Sequence, residues 1–303
     1  MVPIPIALDQ PIRTFTLGDQ AMVRAFLDRD TFFSCEYNFA NLYCWQALYR
    51  YSWSLYQDRL LVYDGVSRCM FQPLGDPLPP KMLHGMAWNL ADMGFEPRIG
   101  GVFEPYLSAY PETEQYFQIS QERDHAEYIY RTRHLLALSG TRLHKKRNLI
   151  SQFKRKFPRF RVRAITPGDL GPLLDFAKGL LNARPEIPKD LEDEFAAMKI
   201  AFAHFKPLGL GGIVVEVGQT PAAFSVFNRL TRDTYDILFE KSDITFKGAA
   251  QVINQETARY LLDRCRYLNR EQDLGVAGLR QAKLSYEPEH VMIPHTLSLL
   301  PHA

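Results

Sequence analysis

The segment Phe15-Thr-Leu-Gly-Asp19 returns as Ile165-Thr-Pro-Gly-Asp169, 150 residues later in a chain of 303. Apolar residues continue in register behind each copy, Val23 against Leu173 and Phe26 against Phe176. Both copies read as a strand end followed by a helix start, with Thr or Asp available to cap the first free N–H groups. An internal repeat at half-length points to one supersecondary plan used twice, and half of this chain is the usual size of a domain, ~150 residues.

The second half gives the plan most legibly. Residues 212–217 read as a short apolar strand, 218–221 as a turn, and 222–230 and 234–240 as two further strands, an antiparallel meander. A helix over 247–265 follows, with Ala249, Val252, Ile253, Tyr260 and Leu261 on one face. Then come a three-residue strand at 267–269, a helix at 276–285 and a last strand at 291–293. The first half repeats this more loosely: strands near 49–56, 60–63 and 69–74, a helix near 81–93, and a strand near 128–130. The predicted fold class is therefore α+β, two tandem domains of one kind, each a mostly antiparallel mixed sheet flanked by helices. The expected domains are residues 1–140 and 141–303.

Charge is distributed unevenly. The chain carries a formal net charge of only +2, yet no acidic residue occurs between Glu127 and Asp169, while twelve Lys and Arg fall between Arg131 and Arg163. The rest holds 24 basic and 34 acidic residues, a net of −10. The basic segment predicts a connecting helix over 142–157, with Leu143, Ile150 and Phe157 seven residues apart, Phe153 between them, and Pro158 ending it. Its cluster His144-Lys145-Lys146-Arg147-Asn148 fits the phosphates of tRNA or of a nucleotide donor. A solvated amphipathic helix accounts for the same residues without a ligand.

The hydrophobic content of 46% and charged content of 23% exclude a disordered or coiled-coil chain. Cys35, Cys44, Cys69 and Cys265 form no C-x-x-C pair and share no zinc spacing with histidines, so no metal or disulfide framework is expected. The opening Met1–Asp9 lacks a basic region with a long apolar run, and the most apolar stretch, 208–217, is shorter than the ~20 residues that cross a bilayer. The expectation is a cytoplasmic protein without a transmembrane segment. Neither G-x-S-x-G nor G-x-x-x-x-G-K-[ST] occurs, against a serine hydrolase or a P-loop NTPase.

The order of elements in the second half resembles the GNAT superfamily of N-acyltransferases. Three blocks resemble, more narrowly, a bacterial family related to the catalytic domain of phosphatidylglycerol lysyltransferase. They are Glu127-Tyr-Ile-Tyr130 with residues 135–140, Leu143-His-Lys-Lys-Arg-Asn148 with Phe153, and Asn269-Arg-Glu-Gln-Asp-Leu-Gly275 with Gly278-Leu-Arg-Gln-Ala-Lys-Leu-Ser-Tyr-Glu-Pro288. The resemblance runs from about residue 10 to 298 and implies tandem GNAT-like domains. Related members transfer an aminoacyl group from tRNA to a lipid head group or a peptidoglycan precursor. For this chain the resemblance implies an acyl or aminoacyl transferase acting on an amine or hydroxyl. Acyl-CoA or aminoacyl-tRNA would be its donor co-substrate, with no intrinsic cofactor and no metal. A non-catalytic module of the same fold, holding RNA or another polyanion, is the alternative.

By the same resemblance the donor's pyrophosphate would lie at a Gly-containing helix start, here Lys247-Gly248-Ala249, where N–H groups and the helix dipole favour an anion. The polar stretch Asn269-Arg-Glu-Gln-Asp273 is the candidate catalytic loop. Glu271 and Asp273 are two apart, share a face if the loop is extended, and supply a carboxylate to deprotonate the nucleophile. Asn269 joins them as a substrate-binding residue, although Asp273 capping the next helix and Arg270 pairing with a surface acid explain the same residues structurally. Arg280 and Lys283, three apart on a helix face, reach either those carboxylates or an anionic donor. Tyr286 stands where many GNAT enzymes place a tyrosine acid near the leaving group.

Overall fold

The computed structural model describes residues 8–29 and 34–300. The opening Met1-Val-Pro-Ile-Pro-Ile-Ala7 and His302 lie outside the described residues. Contacts divide the chain into two compact units. The first comprises Met1–Glu127, Gln272–Val276 and Val291–Ala303, and the second Tyr128–Glu271 and Ala277–His290.

In chain order the structure opens with α1 (Gln20–Arg29) and α2 (Phe39–Tyr49), then β1 (Ser52–Leu55), β2 (Leu60–Asp64) and β3 (Cys69–Phe71). Helix α3 (Pro80–Asp92), β4 (Arg98–Val102), α4 (Glu104–Ala109) and β5 (Phe117–Gln121) follow. Next come β6 (Glu127–Arg131), α5 (Thr132–Ala137), the basic helix α6 (His144–Lys156) and β7 (Arg161–Ala164). After α7 (Leu170–Asn182) and α8 (Lys189–Ala203) the chain forms β8 (Gly211–Val217), β9 (Thr220–Arg229) and β10 (Thr234–Ser242). It closes with α9 (Ala249–Leu261), β11 (Tyr267–Gln272), α10 (Ala277–Leu284), β12 (His290–Met292) and β13 (His295–Leu299).

The repeat is physical. Thr16 and Thr166 each begin a short 3-10 turn, at φ −116° and −111°, and each closes a capping box with the aspartate three residues on. The main-chain N–H of either threonine donates to that aspartate at 2.7 Å. An arginine six residues before each aspartate completes the copy, Arg13 to Asp19 and Arg163 to Asp169, both at 2.7 Å. The apolar positions behind them, Val23 and Leu173, are buried. Each copy then leads into a meander that ends in a parallel pair. Strands β1, β2 and β3 are antiparallel and β3 pairs β4 in parallel. Strands β8, β9 and β10 are antiparallel and β10 pairs β11 in parallel.

Two strands depart from the sequence expectation. The strand at 128–130, read as closing the first half's sheet, is β6 of the second sheet, whose order is β12-β6-β11-β10-β9-β8-β7. Glu127 to Tyr130 are all buried, the pattern of a strand covered on both faces, and β6 has a neighbour on either side. Beyond the strand expected at 291–293, β13 inserts between β4 and β5 in the first sheet, ordered β1-β2-β3-β4-β13-β5. Each sheet therefore takes one strand from the opposite half of the sequence.

Within the second unit, α9 packs its buried face (Val252, Ile253, Ala258, Leu261) onto sheet residues Ile213, Phe227, Ile237 and Leu268. Leu143, Ile150 and Phe153 of the basic segment join the same core, as their spacing predicts. Gly248 makes this approach feasible. It caps α9 at φ +96°, and a Cβ there would lie 2.5 Å from the Leu149 carbonyl oxygen and 3.0 Å from the Phe153 Cβ.

Candidate active site

Strands β10 and β11 pair over three positions, Thr234 with Tyr267, Tyr235 with Leu268 and Asp236 with Asn269. Beyond that point β10 continues to Ser242. Its register with β9 shifts between Ile237 and Phe239, a bulge that bends and twists the strand where it leaves β11. Side chains bridge the opening. Arg270 Nη2 donates to Glu240 Oε1 at 2.8 Å, with both side chains less than one-fifth exposed. Asn254 of α9, its amide oriented by its partners, accepts from Arg270 Nη1 at 2.7 Å and from Nη2 and Nε at 3.1 Å.

The Arg270 guanidinium lies 5.8 Å from the Tyr130 ring centroid and 5.3 Å from that of Tyr286. Lys146 Nζ of α6 sits 4.3 Å from the centre of the same Tyr286 ring. Burial opposes the charge on Arg270, but Glu240 and the two tyrosines outweigh it and keep the guanidinium charged. Burial, reinforced by Arg270, pushes the Lys146 ammonium below the ordinary lysine range. Burial also pushes the Tyr286 phenol up to about 12, against the lowering effect of Arg270. Gln251 on the first turn of α9 hydrogen-bonds this tyrosine.

The predicted residues divide into three groups. Asn269, Lys283 and Tyr286 come together with the opening. Asn269 is fully buried and its Oδ1 accepts from the Glu271 N–H at 2.8 Å. Lys283, also buried, donates from Nζ to the carbonyls of Arg270 and Glu271. Arg280 is half-buried on α10.

The helix start and the basic cluster are used partly for structure. Lys247 is exposed, the Ala249 N–H donates to the Phe246 carbonyl, and the space beside Gly248 is occupied by α6. Lys145 and Asn148 are exposed, whereas Arg147 donates to the carbonyls of Leu138 and Gly140 after α5. Lys146 alone of the three cations turns inward.

The expected carboxylate pair does not share an extended face. Strand β11 reaches Gln272, but Glu271 adopts φ +55°, which breaks the alternation. Glu271 belongs to the second unit and Asp273 to the first. Asp273 is fully buried, pairs with Arg123 at 3.0 Å and closes a turn by accepting from the Gly275 N–H at 3.0 Å. The sequence reading missed Arg270 as the centre of the cluster, along with Glu240, Asn254 and Tyr130. One available signal was Lys146 itself, three residues after Leu143 and four before Ile150, a cation on the apolar stripe.

A meander, a parallel pair and a helix between its two strands, built twice, with a bulge where the second pair parts, define the class: a tandem GNAT-like fold. The fold matches a tandem GNAT protein of the clavulanic acid biosynthesis pathway, with a TM-score of 0.50 at 10% identity over 97% of this chain and 99% of that one. More particularly, the family model for "Phosphatidylglycerol lysyltransferase, C-terminal" matches residues 30–293. The chain belongs to that family.

It is similar to a conserved protein of unknown function from Bacteroides thetaiotaomicron, with 27% identity and a TM-score of 0.88 over 96% of this chain and 99% of that one. The L-PGS of Bacillus licheniformis shares the fold, with a TM-score of 0.61 at 12% identity over 92% and 91% of the two chains. An uncharacterised protein of Mycoplasmoides gallisepticum is 26% identical over 174 residues, 54% of this chain and only 53% of its own length. Among the described residues no helix is long and apolar enough to cross a membrane.

Proposed function

We propose that the chain is a GNAT-type acyl or aminoacyl transferase whose chemistry lies in the second unit, where β10 leaves β11. The observation that carries this reading is the three-residue parallel pairing that ends at a bulge and opens onto a buried polar cluster. Main-chain N–H groups released from pairing at such an opening can polarise a donor carbonyl, a preorganised stabilisation of the oxyanion that develops. The amine or hydroxyl of the acceptor forms its N–C or O–C bond as the donor's C–O or C–S bond breaks. The nucleophile's proton passes to Glu271, half-buried at the end of β11. Asp273 enters this reading as the buried anchor of the following turn.

Tyr286 supplies a proton to the leaving group and bears on donor class. An ester oxygen leaves as a strong base and needs the proton that a neighbouring phenol can give. A thiolate, with a thiol pKa of ~8.5, leaves without such help. This favours aminoacyl-tRNA over acyl-CoA. The second reading, a non-catalytic module for RNA or another polyanion, draws on the exposed residues Lys145, Arg155 and Lys156 of α6.

Thermal-shift titration with acyl-CoAs and with charged and uncharged tRNA, followed by a transfer assay with amine acceptors, separates the two. Transfer from charged tRNA supports the enzyme. Equal stabilisation by charged and uncharged RNA with no transfer supports the module.

A further inference from the structure

Residue 146 lies half-buried on the apolar stripe of α6. Leu143, Ile150 and Phe153 on the same stripe are buried, and the residues on either side of it, Lys145 and Arg147, are exposed. A lysine at such a place is half-desolvated, which disfavours its charge unless an anion meets it. Other cations of the basic segment meet carboxylates: Arg142 meets Glu287 at 3.1 Å, Lys154 meets Glu256 at 3.8 Å and Arg163 meets Glu216 and Asp169. Among the described residues Lys146 meets only the Tyr286 ring, and the one charge felt there is the like charge of Arg270. Arg270 is already held by Glu240 and Asn254. Around the Tyr286 ring Arg270 is matched by Glu240, whereas among the described residues no carboxylate meets Lys146, which leaves a surplus positive charge in a partly buried place.

We propose that Lys146, backed by Arg270 and lying against the Tyr286 ring, is a subsite for the oxyanion of a small ligand, a carboxylate or phosphate group. The ammonium supplies a charge-assisted hydrogen bond, Arg270 adds to the local positive field, and the ring excludes water from one side. Only the role of that ligand in catalysis rests on the transferase reading above.

The full chain is titrated calorimetrically with inorganic phosphate, pyrophosphate and succinate at fixed ionic strength. Comparing the three arms tells a phosphate ligand from a carboxylate one. At least one probe is expected to bind, and Lys146→Gln should weaken it by about ten- to hundredfold, the loss of one hydrogen bond to a charged group. Lys145→Gln, one residue away and exposed, should change affinity by no more than about twofold. Lys146→Arg keeps the charge, should retain binding within about tenfold, and keeps the test valid if the glutamine variant folds poorly.

Failure of every probe to bind, or equal losses in the two glutamine variants, would overturn the subsite. The titration needs neither donor nor acceptor. Anion binding at Lys146 in a chain that transfers nothing would keep the subsite and remove the transferase reading. Transfer without any Lys146-dependent binding would do the reverse.

Discussion

The passages β3–α3–β4 and β10–α9–β11 have the same topology and differently composed helix faces. In the first, α3 begins at Pro80, which has no N–H to offer, and buries Leu83, Met86, Ala87 and Leu90 against Leu61, Tyr63, Ile99 and Val102. That helix-to-sheet contact is apolar, although Arg98 of β4 reaches the Ser67 carbonyl and Asp64 at the end of β2 is buried. In the second, α9 begins at Gly248 and buries Asn254, Glu256 and Thr257 beside its apolar face, while Arg270 and Glu240 span the opening. Burying polar and charged groups costs free energy that an apolar filling of the same space avoids. The helix face of one copy is apolar, and that of the other carries buried polar groups and an ion pair that stability alone does not require.

Arg270→Met is the largest test of that contrast. It leaves Glu240 desolvated without its partner and should destabilise the protein by ~3–5 kcal/mol. Adding Glu240→Gln should restore part of the loss. A double variant that is the sum of the two singles in urea unfolding would mean the pair is not coupled.

A second test uses pH. The Tyr286 phenol is raised above its unfolded value of about 10, so its contribution to stability is complete below that pH and lost as pH rises towards about 12. The change amounts to ~2–3 kcal/mol. Tyr286→Phe should flatten the stability profile between pH 10 and 12 relative to wild type. An unaltered slope would place the tyrosine in water.

The smallest effect concerns two glycines. Gly248→Ala meets both a positive φ and the approach of α6, and should cost ~1–3 kcal/mol. Gly100→Ala on β4 would meet only Cys69 Sγ at 3.6 Å, and its melting temperature should stay near that of wild type. Equal losses at both sites would mean that the second passage is not the more constrained.

Much of this comparison is legible in the sequence because it is local. The repeat survives as a capping box, four residues whose hydrogen bonds close on themselves, and the meanders as runs bounded by turns. Arg13 and Arg163 escape notice because each lies outside the motif its side chain completes. The exchange of β6 and β13 between sheets cannot be read from either strand, since their pattern gives burial and not the identity of the neighbour. The site suffers from the same distance. Arg270 meets a carboxylate 30 residues earlier and a ring from β6, so reading Asn269–Asp273 alone favours the nearer carboxylates. Asp273 stands out in the sequence because it lies close to Glu271, and the left-handed turn at Glu271 removes that advantage.

The central claim is that the donor occupies the second passage and not the first. Hydrogen exchange of the full chain with and without a non-hydrolysable aminoacyl-tRNA analogue tests it most directly. The account predicts slowed exchange at the start of α9, at residues 237–241 of β10 and at 270–271 of β11, with the matching stretches of α3, β3 and β4 unchanged. Protection confined to α3 and β4, with β10 and β11 exchanging as before, would contradict it.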